Sequence, residues 1–196
     1  MINLENYLYE KTKSIIMEWD EAGIYAISFL VYANEAFTYQ QHKNVSEFAI
    51  SYNTEKDCNC APKFSEERWN YAFWRQETTH IINPNEDDNE GVKILFDWYK
   101  ENKIENIGFE DSSKTYDENM LYIGMGPVGY YDLLTAVVNV AKKMQDEGFI
   151  ADKFGNIPII VHDLEYSWYV KDATSHANPN READVFLEAL KSNYDT

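Results

Sequence analysis

Ten consecutive residues, Ile24-Tyr25-Ala26-Ile27-Ser28-Phe29-Leu30-Val31-Tyr32-Ala33, constrain the fold more than any other part of this chain. Alternate residues of a strand point to opposite faces, and here both sets are mainly apolar and rich in strand formers. Such a strand needs cover on two sides, which predicts an interior place in a sheet with packed layers above and below. Val45 to Tyr52 reads as its partner. There Phe48, Ile50 and Tyr52 share one face while Glu47, Ala49 and Ser51 share the other, so one side is expected in the core and one in a wetter setting.

Helical spacing surrounds these strands. Residues 3 to 19 set Leu4, Leu8, Ile15, Ile16 and Trp19 on one side and Lys11 and Lys13 on the other, with Gly23 beyond the end. Ser65-Glu66-Glu67-Arg68 has the hydroxyl and acids of a helix start, and Trp69, Ala72, Phe73 and Gln76 follow at helical spacing. After an extended piece from Thr79 to Asn83, a helix is expected over 87–102 with Val92, Leu95, Phe96 and Tyr99 inward. Ile104 to Phe109 and Met120 to Ile123 read as short extended segments on either side of a polar loop. The longest helix runs from Val128 to Glu147 and ends at Gly148. Ile157 to Val161 reads as a strand that Pro158 confines to a start or an edge. Asn178-Pro179 reads as the opening of a last helix burying Ala183, Phe186, Leu187 and Leu190. Helices and strands intersperse without steady alternation, which predicts one α+β domain over 1–196 with a mainly antiparallel sheet, flanking helices and amphipathic helices at both ends.

Charge sets the class of partner. The 196 residues carry 34 acids against 17 Lys and Arg, a net charge of −17. Low hydropathy with high charge often means disorder, but five Trp, fifteen Tyr and ten Phe supply enough apolar surface for a folded core. So negative a chain repels phosphate backbones and anionic membranes, which argues against nucleic acid and membrane as direct partners and favours a basic protein. The opening Met1-Ile2-Asn3-Leu4-Glu5-Asn6 has no basic stretch followed by an apolar run, and a cytoplasmic protein is expected. Cys58 and Cys60, one residue apart, suit neither an ordinary disulfide nor a structural zinc knuckle and read as part of a polar loop.

Two motifs invite chemistry. Gly124-Met125-Gly126-Pro127-Val128-Gly129 fits the dinucleotide pattern G-x-G-x-x-G between a strand candidate and a helix. The acids that would hold a ribose, Asp163 or Glu165, come more than thirty residues later instead of about 20, and Pro127 removes one N–H, so a tight turn that needs glycine is the better reading. His162-Asp163 resembles the dipeptide of metal-dependent phosphohydrolases, but it ends a strand. His42, His80 and His176 lack ligand spacing around it. No catalytic residue, metal ligand or cofactor is assigned.

Binding candidates are more concrete. In Trp69-Asn70-Tyr71-Ala72-Phe73-Trp74-Arg75, helical spacing puts Trp69 and Phe73 in the core and Trp74 and Arg75 on another face, as an exposed anchor. Residues 86–119 hold 11 acids and 4 bases, a net −7, among them Asp87, Asp88, Glu90, Glu110 and Asp111. Such a stretch is either a solvated face or an acidic docking surface that steers a basic partner.

The helix leading into Ile24-Tyr25-Ala26-Ile27-Ser28-Phe29, the Ser51-Tyr52-Asn53-Thr54-Glu55 segment, the Arg68-Trp69 to Trp74 cluster, Glu147-Gly148-Phe149 and the Asn178-Pro179 end together resemble the bacterial family called domain of unknown function 4303. The resemblance implies a single cytosolic α+β domain and transfers no catalytic residue. Charge and resemblance together favour a non-enzymatic protein-binding module, of the kind that inhibits a basic toxin as an immunity protein. The alternative is a small enzyme, using Gly124 to Gly129 for a nucleotide or His162-Asp163 for a metal.

Overall fold

Asn3 opens the first helix by accepting a hydrogen bond from the Asn6 N–H at 2.9 Å, and α1 (Leu4–Glu18) then buries Leu4, Leu8, Tyr9 and Ile16 along one stripe. The computed structural model describes residues 2–33, 46–109, 127–164 and 168–194. Within them the apolar run forms β1 (Ile24–Tyr32), followed by β2 (Glu47–Thr54), the single-turn α2 (Glu66–Trp69) and β3 (Thr79–Ile82). After α3 (Glu90–Glu101) come α4 (Tyr130–Asp146), the short α5 (Phe149–Phe154), β4 (Ile159–His162), α6 (Trp168–Ala177) and α7 (Asp184–Tyr194).

The four strands form one mixed sheet in the order β3-β2-β1-β4. β1 runs antiparallel to β2 and parallel to β4, and β2 runs antiparallel to β3, so two of the three pairings are antiparallel. This is the expected α+β domain, with β1 inside the sheet. Ile27, Phe29, Val31, Phe48, Ile50, Ile82, Ile159 and Val161 join the helical stripes of α1, α3 and α4 in the main core. The opposite face meets a second cluster in which Ala26 and Ile160 lie with Cys58, Trp69, Trp74 and Phe186, Ala189 and Leu190 of α7. Cover on both sides is what β1 demanded, and β2 shares it. Ala49 and Ser51, expected on a wetter side, are buried, because the chain after α2 crosses that face and the Ser51 hydroxyl donates to Glu77 O at 2.7 Å.

β4 is an edge strand whose outer backbone groups are met by side chains in place of another strand. Thr174 of α6 accepts from Val161 N and donates to Val161 O, both at 3.0 Å. The Asn178 amide accepts from Ile159 N at 2.9 Å and donates to Ile159 O at 2.7 Å. Two side chains thus close the pairing surface that an open edge offers to other chains. They also correct the last helix. Asn178 is only 4% exposed and committed to β4, so Asn178-Pro179 forms a turn and α7 starts five residues later than Pro179.

Other boundaries move for local reasons. Ile104 to Phe109 is a turn after α3 rather than an extended segment, with Lys103 and Asn106 at positive φ and Val128 N donating to Phe109 O. Met120 to Ile123 lies outside the described residues. α5, which begins just after Gly148, and α6 have no counterpart in the predicted elements. Two glycines are fixed by close contact. At Gly91 a Cβ would lie 2.1 Å from Ile81 O, and at Gly129, with φ +89°, it would meet the Tyr99 ring at 2.9 Å. No helix among the described residues is long and apolar enough to cross a membrane.

Candidate functional site

The segment after α2 decides what the second face of the sheet can do. The helix expected to continue from Trp69 stops there, because Asn70 is extended and its side chain accepts from Ala72 N to start a 3-10 turn over Tyr71–Phe73. This break reverses the expected faces. Phe73 is 53% exposed, whereas Trp74 is 6% exposed and its indole N–H donates to Arg68 O at 2.9 Å. Trp74 is therefore a packed side chain and not an exposed anchor.

Arg68 of α2 and Arg75 of the strap that follows it are both committed internally. Arg75 donates from its two terminal nitrogens to Glu21 at 2.8 and 3.1 Å, reaches Asp57 at 3.2 Å, and lies 4.5 Å above the Tyr52 ring. Hydrogen bonds from Arg75, then Tyr52, hold the Glu21 carboxyl below its ordinary range. At Asp57 burial pushes the other way, but the Thr54 backbone, the Thr54 hydroxyl and Arg75 together win and lower it. Arg68 forks onto Glu55 at 2.8 and 2.5 Å and stacks 4.0 Å from the Tyr25 ring. These pairs anchor the strap to the ends of β1 and β2.

Beneath the strap sits His162, 5% exposed, at the end of β4. Its Nε2 lies 2.7 Å from Ser28 Oγ on β1, Tyr71 stacks on it at 6.2 Å, and Trp74 meets it edge-on at 5.4 Å. Its Nδ1 is buried without a hydrogen-bond partner. Burial alone pushes this imidazole down to about 4, so it is neutral at pH 7. Asp163 turns to a different partner, accepting from the Tyr169 hydroxyl. Among the described residues no group of three or more His, Cys, Asp or Glu side chains is placed to hold a metal. Of the glycine motif, Gly124 and Gly126 lie outside the described residues, and Gly129 serves packing, with its carbonyl accepting from the Tyr99 hydroxyl at 2.8 Å.

The acidic candidates lie on the surface. Asp87, Asp88 and Glu90 are all exposed in the turn that leads into α3 and at its first residue. Asp88 pairs with Lys93 at 2.9 Å with its side chain 92% exposed, and Glu90 pairs with Lys11 at 2.8 Å. Glu110 and Asp111 lie outside the described residues, as do His42 and Glu165.

Comparison with family models, with curated proteins and with solved structures finds no match to this chain. The residues that organise the site were only partly visible in sequence. Ser28 is the one polar residue inside the apolar run of β1, and that break in pattern is the signal that could have marked it. Its partner His162 is 134 residues away.

Proposed function

We propose that this chain is a non-enzymatic protein-binding module whose acidic surface captures a basic partner, in the manner of an immunity-type inhibitor. The observation that carries the reading is the exposure of the acids before and at the start of α3. Arg68 and Arg75 are spent inside the fold, whereas Asp87, Asp88 and Glu90 stand in solvent. The lysines that meet Asp88 and Glu90 do so as exposed pairs, which water screens and which can be exchanged for a partner's cations at little cost. A net charge of −17 steers a basic protein towards that surface and away from phosphates and anionic membranes. Two free cysteines accord with a cytoplasmic setting. Membership of the bacterial family called domain of unknown function 4303 belongs to the same proposal.

Capture on immobilised protein followed by a salt gradient tests this reading. The expected result is a basic protein that is retained at about 20 mM salt and released well below about 500 mM, because screening shortens the reach of surface charge. Retention unchanged across that range would overturn it.

A further inference from the structure

A groove of about 560 Å³ opens where the N-terminal turn of α1, the last turn of α3 and the first two turns of α4 meet. Buried Leu4 and Ala136 and half-buried Trp98 and Tyr131 are among its lining residues. Its polar lining includes the exposed carboxylates Glu5, which accepts from the Asn139 side-chain amide at 2.7 Å, and Asp132, and Glu101 stands beside it, accepting from Ile2 N at 2.8 Å. None of the lining residues is Lys or Arg. The volume falls in the range of about 300–1,000 Å³ that ligand sites occupy.

We infer that this groove is the seat for an arginine-bearing segment of the basic partner, with Trp98 and Tyr131 against the guanidinium and its stem and with Asp132 and Glu5 pairing with its charge. The inference rests on the binding reading above. Charge complementarity selects the occupant. A neutral partner would bury Asp132 and Glu5 without a counter-charge, and a second copy of this chain would bring another −17 against them. Arginine suits the site better than lysine, because a planar guanidinium stacks on aromatic faces and forks onto a carboxylate.

The test is an NMR titration of the isotope-labelled chain at low salt with the peptide acetyl-Gly-Arg-Gly-Arg-Gly-amide, beside matched lysine and glutamate peptides. The Trp98 indole N–H and the backbone amides of 131–136 should shift together, most with the arginine peptide and not with the glutamate one. Asp132→Lys, a charge reversal at an exposed position, should weaken binding roughly tenfold, and Trp98→Ala by a similar factor. Shifts confined to residues 86–90, or undiminished in Asp132→Lys, overturn the groove while leaving the acidic-surface reading in place. Lysine binding equal to arginine overturns the choice of arginine. Absence of any shift at millimolar peptide overturns the groove too, and the salt-gradient capture then decides the broader reading by itself.

Discussion

Acid should loosen this protein through His162 in a way that a single substitution removes. The imidazole titrates near its ordinary 6.5 in the unfolded chain and is pushed down to about 4 in the fold. The folded state therefore refuses a proton that the unfolded state accepts, and stability present above pH 6.5 is lost as pH falls towards 4. For those two values the loss between pH 7 and pH 5 is about 2 kcal/mol, a large share of the roughly 5–15 kcal/mol that stabilises a typical domain. Burial is the cause of this shift, and among the described residues Ser28, Tyr71 and Trp74 pack against the ring. Urea unfolding followed by tryptophan fluorescence at pH 7 and pH 5 measures it, in the wild type and in His162→Gln. The variant keeps every other titrating group, so its stability should fall by about 2 kcal/mol less over the same interval, whatever its stability at pH 7. Parallel pH profiles would mean instead that the strap does not seal the imidazole from water.

Asn178→Ala should cost about 3–5 kcal/mol in a urea melt at pH 7, since it strands Ile159 N and O and Thr174 O together and removes one of the two acceptors of the Gln145 amide. A loss under about 1 kcal/mol would remove Asn178 from its place as the closure of the β4 edge. Gly91→Ala forces a methyl to within 2.1 Å of Ile81 O, so α3 must move off β3. It should lower stability by about 2 kcal/mol despite the better helix propensity of alanine, and an unchanged melting temperature would contradict the close approach.

Long periodic segments were legible because their partners are generic. The stripes of α1, α3 and α4 and the two-sided apolar run of β1 need only some apolar surface opposite, and each formed close to where its spacing predicted. The failures fall where a single distant contact decides. Phe73 and Trp74 exchanged places because one Asn70 side chain ended a helix after a single turn. Ser51 is buried because a strap more than twenty residues on crosses it, and alternation within β2 carries no record of that. Asn178 has the local look of a helix start, yet its amide is committed to the backbone of β4, nineteen residues earlier. The acidic residues of 86–90 were legible as exposed for a simpler reason, since clustered like charges repel and stay in water.

Electrostatic steering by the acids before α3 is read from the association rate of the captured partner as a function of salt, measured for the wild type and for Asp87→Asn/Asp88→Asn. Asparagine keeps the shape and tolerates the positive φ of 64° at Asp88, so the double variant removes charge with little strain. The wild-type rate should fall at least tenfold between about 20 and about 300 mM salt, with a shallower dependence in the variant. A rate that is flat in salt, or equal in both proteins at every salt concentration, would contradict an acidic surface that steers a basic partner.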